Sequence, residues 1–370
     1  MNEIRTCAIC GAAIANEDAK WMDGEFLCEH CFEEKTVECE HCSRRIWREN
    51  AETDGHIFLC GGCFDDYYTS CESCGRLINR DDAYYEDPDG DYPYCRECYH
   101  RRARRAIRAY NYKPEPLFYG SGRLFMGVEV EIDHGGEIDA NARELLEIAN
   151  AEEDRIYCKH DGSLHDGFEI VSHPMDLPYH AEEMNWREVF AKAREMHYTS
   201  HNAGTCGLHV HVNRDAFGEN VDEREEVIGR IVYFVEKHWA ELVRFSRRTS
   251  EALDRWAARY ATISNTTKET YQKAKAKYMG RYVAVNLENY ETIEFRMFRG
   301  TLRYETFIAT LQLVNEICRW AMLLGDSELE LFSWSDFVKQ IDAEKNAELI
   351  AYLKARQLYI NDPQTDCEEV

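Results

Sequence analysis

Long apolar runs are missing from this chain. No stretch of about 18 uninterrupted apolar residues, the length that marks a membrane-spanning helix, occurs anywhere in the 370 residues. The opening residues, Met1-Asn-Glu-Ile-Arg-Thr-Cys7, also lack the apolar segment of a secretory signal. Positive charge is scarce. Lys and Arg number 44 against 69 Asp and Glu, a net charge of −25, which argues against broad electrostatic attraction to DNA or anionic membranes. A cytoplasmic protein with no transmembrane segment is expected, its partners neutral, cationic or metal-bridged. Packing material is plentiful: 44% of residues are hydrophobic and 12% aromatic, and the length allows two or three domains.

Sixteen cysteines would indicate disulfides in a small secreted domain, but twelve of them form six Cys-x-x-Cys pairs, which is zinc spacing suited to a reducing compartment. The pairs are Cys7/Cys10, Cys28/Cys31, Cys39/Cys42, Cys60/Cys63, Cys71/Cys74 and Cys95/Cys98. Cys7, Cys39 and Cys71 repeat with period 32, as do Ile14, Ile46 and Ile78, and Ala19, Ala51 and Ala83, the third unit being stretched by Asp87-Pro-Asp-Gly-Asp91, so three copies of one small unit are expected. Four thiolates close a tetrahedral zinc site with no open position, which makes these sites structural. Pairing consecutive knuckles keeps each zinc within one copy; interleaved pairing is the alternative. The units resemble zinc ribbons or half of a LIM domain. Each is too small to fold on apolar burial alone, so metal binding should supply the folding free energy.

Residues 1–100 hold 9 Lys and Arg against 23 Asp and Glu, whereas nucleic-acid-binding fingers are normally basic. Protein docking is therefore the expected use of the array, against the plainer reading of a stable spacer. The one concentrated basic segment, His100-Arg-Arg-Ala-Arg-Arg-Ala-Ile-Arg108, reads as a helix with Arg101/Arg105 and Arg104/Arg108 at i, i+4, either solvated or anion-binding. Pro114-Glu-Pro116 closes it. The expected organisation is zinc modules at 1–34, 35–66 and 67–100, a basic helical linker at 101–116, a catalytic domain at 117–325, and C-terminal helices with an acidic tail at 326–370.

The catalytic expectation rests on Gly127-Val-Glu-Val-Glu-Ile132, Lys159-His-Asp-Gly-Ser163, Gly167-Phe-Glu-Ile-Val171, Leu208-His-Val-His-Val212 and Thr292-Ile-Glu-Phe-Arg-Met297. Successive strand side chains point to opposite faces. Glu129 and Glu131 thus oppose Val128, Val130 and Ile132; His209 and His211 oppose Leu208, Val210 and Val212; Glu294 and Arg296 oppose Ile293, Phe295 and Met297. An ordinary half-buried strand alternates apolar residues with Thr, Lys, Gln and Ser, not with metal-type ligands. Helices are expected around Asp139 to Ala151, Ala181 to Tyr198, Asp222 to Arg247 and Tyr304 to Leu324, covering the apolar face of the sheet. The opposite face would present its Glu, Asp, His and Arg side chains into a concave site.

These motifs, in this order over roughly 200 residues, resemble the amidoligase family, relatives of glutamine synthetase and glutamate-cysteine ligase. The residues that carry the resemblance are Gly-x-Glu-x-Glu at 127–131, Lys-x-Asp-Gly-Ser at 159–163, Glu169, Gly-x-His-x-His at 207–211, Arg281 through Asn286, and Glu-Phe-Arg at 294–296. The resemblance implies an α+β fold with a glutamine synthetase-like curved antiparallel sheet, helices on one face, and ATP-dependent joining of a carboxylate to an amine. It implies one magnesium on Glu131, Asp161 and Glu169 and a second on Glu129, His209 and Glu294. The eight-residue step from Asp161 to Glu169 is similar to the paired-acid spacing of glutamine synthetase, although Asp161 is one methylene shorter than the glutamate found there. It further implies that His211 and Arg281 approach the nucleotide phosphates and Arg296 the acyl phosphate, with Lys159 and Arg299 as further contacts. Magnesium wants hard oxygen ligands; a histidine at one site would also tolerate manganese.

The substrates would be a carboxylate and an amine, free or on a peptide or protein recruited by the zinc modules. Two other classes remain open: a metallohydrolase using His209, His211 and the carboxylates, and a non-enzymatic adaptor with a degenerate second domain. Cys158 and Cys206 lie beside the motifs with no Cys/His/Asp arrangement to activate them. Cys318 and Cys367 carry no signal. Beyond Asp326 two short helices are expected, docked through Trp334 and Phe337.

Overall fold

The computed structural model describes residues 4–85, 92–103, 105–261, 263–264, 266–276 and 280–359, with the side chains of 100–103 excepted. The chain divides into two compact units, one of Met1–Arg105 with Asn111–Lys113, the other of Ala106–Tyr110 with Pro114–Val370. Among the described residues no helix is long and apolar enough to cross a membrane.

In the first unit the period of 32 becomes three copies of hairpin, hairpin and short helix. The first copy pairs Ile4–Thr6 with Ala13–Ala15 and Lys20–Met22 with Glu25–Leu27, then turns into helix Glu29–Lys35. The second ends in helix Gly61–Tyr67 and the third in Arg96–Ala103. Consecutive knuckles converge: Cys7, Cys10, Cys28 and Cys31 bring their sulfurs within 4.8 Å of one another, as do Cys39, Cys42, Cys60 and Cys63, and Cys71, Cys74, Cys95 and Cys98. Interleaved pairing is thereby excluded. Four converging sulfurs fit tetrahedral zinc. The N–H groups of Cys10 and Cys28 hold the Cys7 thiol down to about 6, toward the thiolate a metal takes.

The knuckle turn needs a left-handed residue. Gly11 (φ 71°) and Gly75 (φ 73°) supply it in the outer copies, and Ser43 (φ 58°) at the equivalent place in the middle one, where an L-residue costs roughly 1–2 kcal/mol. Each apolar cluster is small, and the first two borrow from the next copy: Trp47 packs on the cluster of Ile14, Met22 and Leu27, and Leu77 joins that of Leu59. Asp23 accepts the Trp47 indole N–H at 2.9 Å, and Asp54 accepts the Leu77 N–H at 2.9 Å.

The second unit is built on a seven-stranded sheet. Its strands are β1 (Ile107–Arg108), β2 (Met126–Ile132), β3 (Ile156–Lys159), β4 (Phe168–Ser172), β5 (Gly207–Asn213), β6 (Val285–Asn286) and β7 (Thr292–Arg299), in the order β1-β3-β4-β2-β5-β7-β6. The expected antiparallel sheet is in fact mixed, because β1 runs parallel to β3. That strand falls where a helical linker was expected. Asp139 explains it, since its Oδ1 takes the N–H groups of Ala106 at 2.8 Å and Ile107 at 3.0 Å and holds the segment at the sheet edge. The rest of the basic segment, the side chains of 100–103 and residue 104, lies outside the described residues.

On one face Val128, Val130, Ile132, Leu208, Val210, Val212, Ile293, Phe295 and Met297 are fully buried. They form a single core with helices α1 (Asp139–Ala149), α2 (Trp186–Glu195), α3 (Val221–Lys237), α4 (Trp239–Ser246) and α5 (Tyr304–Leu323). The long helix expected from Asp222 to Arg247 is interrupted at His238. There Lys237 reaches the carbonyls of Glu330 and Phe332 and His238 that of Phe332, so the side chains at the break anchor a loop. Three short helices, not two, follow Asp326. Trp334 and Phe337 are buried as expected, and the tail with Cys367 lies outside the described residues.

Ahead of α2, a π-helical turn at Tyr179–Glu183 buries His180 completely. Its Nε2 bonds the carbonyl of Met126 at 2.8 Å, and its Nδ1 accepts the Trp186 indole N–H at 3.2 Å. A proton on Nδ1 would face that donor, and burial lowers His180 to about 4. The unfolded chain, titrating near 6.5, binds this proton first, so stability is full above about pH 6.5 and falls as pH drops toward 4.

Two outcomes follow for these units. Stripping zinc with a strong chelator is expected to abolish amide-exchange protection in the first unit while Met126–Ile132 stays protected; surviving protection in the array would show that the metal does not hold it. For the second unit, melting followed from pH 7 to 4 should show a loss on the order of 3 kcal/mol from His180, and His180→Gln should flatten the slope.

Candidate active site

The polar face of the sheet carries the residues singled out above. Glu129 lies opposite His209 across β2 and β5, and His211 opposite Glu294 across β5 and β7. Glu129 Oε2 is 3.0 Å from His209 Nδ1, and Glu129 Oε1 is 3.3 Å from His211 Nε2. Glu294 Oε1 lies 3.7 Å from His209 Nδ1 and 3.9 Å from His211 Nε2, and it accepts from the Arg296 guanidinium. Its other oxygen accepts the Asn286 amide at 2.9 Å. Burial works against charge on Glu129, but His211 and His209 hold its carboxyl well below the usual range; burial likewise opposes the Glu129 charge at His211, whose imidazole ends up raised.

Ligand atoms of Glu129, His211 and Glu294 lie within 4.8 Å of one another. His211 Nε2 is enclosed and makes no hydrogen bond. A ring nitrogen set 3.3 Å and 3.9 Å from two carboxylates fits a divalent cation with mixed oxygen and nitrogen ligands. The expected trio named His209 as the nitrogen ligand; its Nδ1 also stands between Glu129 and Glu294, at 3.0 and 3.7 Å, and its Nε2 is 3.8 Å from Glu131 Oε1.

The other expected trio is arranged differently. Glu169 Oε1 is 3.0 Å from Lys159 Nζ. Burial, with Glu129 and Asp161 nearby, pushes the Glu169 carboxyl well above its usual range despite that lysine. Glu131 is buried, which raises its carboxyl, and it accepts the Gly207 N–H. A Cβ on Gly207 would stand 2.8 Å from His209 Nε2, so only glycine leaves the imidazole its place. Asp161 accepts the Ser163 N–H at 2.6 Å in a turn beside the sheet. That turn is fixed by Asp133, fully buried, which accepts the N–H groups of His134, His165 and Asp166 and the Thr205 hydroxyl.

Glu131, Asp161, His209, Arg281 and Arg296 line one cleft of about 490 Å³. Tyr110, His160, Thr205, Arg248, Trp256 and Tyr282, none of them singled out from the sequence, line it too. Arg281 donates to the hydroxyls of Tyr110 at 2.8 Å and Tyr282 at 3.1 Å, and the Trp256 ring meets Tyr282 edge-on at 5.5 Å. The adjacency of Arg281 and Tyr282 was the one available signal for this wall. Arg299 stands outside the cleft lining, opposite Gly207, donating to the Arg247 carbonyl at 3.5 Å. Cys158 and Cys206 are buried, and burial raises both thiols, which fits no nucleophile.

Residues 147–318 match the model of a family described as "Putative amidoligase enzyme". The matched segment takes in Asp161, Glu169, His209, His211, Arg281, Glu294 and Arg296, and it begins after Glu129 and Glu131. No curated protein matches the chain. Among solved structures, a bifunctional glutathione synthetase from Pasteurella multocida is similar at 12% identity over 65% of this chain and 47% of that one, with a TM-score of 0.36. The chain thus spans about half the length of that protein.

The cluster predicts cation binding. Mn²⁺ affinity, measured by electron paramagnetic resonance, should fall more than about tenfold in Glu294→Ala and in His211→Ala, with zinc content unchanged. Equal affinity in both variants would remove the site.

Proposed function

We propose that this chain is an ATP-dependent carboxylate–amine ligase, with the sheet and helices forming a glutamine synthetase-like catalytic domain. The observation that carries the reading is the enclosed His211 Nε2 set between the carboxylates of Glu129 and Glu294, beside a cleft lined by arginines and acids. The family match over residues 147–318 supports it.

A carboxylate does not react with an amine unaided. In this reading the acid's oxygen attacks the γ-phosphorus of ATP, ADP leaves, and the amine displaces phosphate from the acyl phosphate to give the amide. Divalent magnesium, or manganese, would offset charge on the transferring phosphoryl group, with Glu129, His211 and Glu294 as one ligand set and Glu131 with Asp161 and Glu169 as the second. Arg281 and Arg296 line the cleft where the phosphates would lie, and Arg296 is oriented by Glu294. Tyr110, Trp256 and Tyr282 offer aromatic faces to a nucleobase. Lys159 pairs with Glu169 at 3.0 Å and would steady that carboxylate as a ligand for the second metal. The zinc modules would recruit the peptide or protein that bears the acid or the amine.

Calorimetric titration with a non-hydrolysable ATP analogue, with and without magnesium, tests the reading. Magnesium-dependent binding is expected in the native protein, lost or weakened by about 2 kcal/mol or more in Glu129→Ala. Metal binding without nucleotide binding would favour the hydrolase reading, and neither would leave an adaptor.

A further inference from the structure

Among the described residues Arg248 has no ionic partner, and it is nevertheless buried. It is 8% exposed and lines the cleft. Helix α4 stops at Ser246, Arg247 takes the left-handed conformation at φ 58°, and Ser246 Oγ accepts the Arg248 N–H at 3.2 Å. This turn swings Arg248 toward the polar face of the sheet. There its Nη1 donates to the carbonyl of Arg296 at 2.6 Å. Among the described residues no carboxylate forms an ion pair with it. The other cleft arginines are provided for: Arg296 pairs with Glu294, and Arg281 donates to two tyrosine hydroxyls. Burial, against the attraction of Glu131, pulls the Arg248 guanidinium below its ordinary value. Glu131 itself is turned to the Gly207 N–H.

A desolvated cation without a counter-charge destabilises the free protein, and a guanidinium fork matches the two oxygens of a carboxylate or phosphate. We propose that Arg248 is a binding residue for an oxyanion that a substrate brings into the cleft, and that this anion completes the ion pair the protein leaves open. The inference deepens the ligase reading by requiring an anionic group at this point of the cleft. Two sources carry that chemistry: a nucleotide phosphate, or a free carboxylate on the acid or amine substrate.

The test uses the full-length, zinc-loaded protein, native and as Arg248→Met. The probes are a non-hydrolysable ATP analogue with magnesium and sodium succinate, the latter against sodium chloride of equal ionic strength. The native protein is expected to bind at least one probe, and Arg248→Met to bind it at least about tenfold more weakly while melting higher than the native protein when both are free. Weakening toward the ATP analogue alone assigns the anion to the nucleotide, and toward succinate alone to a carboxylate substrate. Unchanged affinity for both probes, or a native protein that binds neither, overturns the proposal. Magnesium-dependent nucleotide binding that Arg248→Met leaves intact, with no succinate response, would sink this inference and spare the ligase reading. If Arg248→Met does not fold, Arg248→Lys, which keeps the charge and loses the fork, serves for the same comparison.

Discussion

Carboxylates can be buried side by side on this sheet because a histidine or a lysine faces most of them across its rungs. Glu129 stands opposite His209 and His211 opposite Glu294, so the two histidines of β5 sit between the carboxylates of β2 and β7. Further along, Glu131 and Glu169 are directly opposed, a like-charge pairing that is unfavourable by itself. It is relieved on each side, by Lys159 across the next rung at Glu169 and by the Gly207 N–H at Glu131. Taking out one member of such a lattice leaves its neighbours buried and uncompensated, which is far more damaging than never having placed them there. The apolar face imposes the same demand from the other side. Any slip of register would drive this lattice into the core formed with α2, α3 and α5.

The second unit carries its site on rigid strands and frames it with turns. Asp133 ties the ends of three segments together through four donors, and the Asp161 turn stands on that knot. The first unit works by other means, with copies too small to bury much and a tetrahedron of sulfur at the centre of each. Trp47 and Leu77 pass from one copy to the next, so neighbouring modules share their cores.

Much of this was legible in the sequence where a period was legible. The spacing of 32 led to the consecutive cysteine sets, and strict alternation put Glu129, Glu131, His209, His211 and Glu294 on one face, because a strand offers no other choice. Cross-strand partners were not legible. Nothing local says that Lys159 meets Glu169, or that His211 reaches Glu129 as well as Glu294, since register is set by the whole sheet. Arg248, Tyr110 and Trp256 belong to turns and short segments with no repeat to betray them. The break at His238 escaped notice because carbonyls from residues about 90 positions later hold it.

Strand β7 also departs from simple alternation. Phe295 lies opposite Val210 and Phe298 opposite Leu208, so Arg296 and Met297 together face His209 in a bulge. Past that point the phase is reversed: Phe298 enters the core, and Arg299 comes round to the side of Gly207 and His209. Any alignment of this strand that preserves an unbroken in-and-out rhythm will therefore be one residue out of step from Phe298 onward, and will place an arginine where a core phenylalanine belongs.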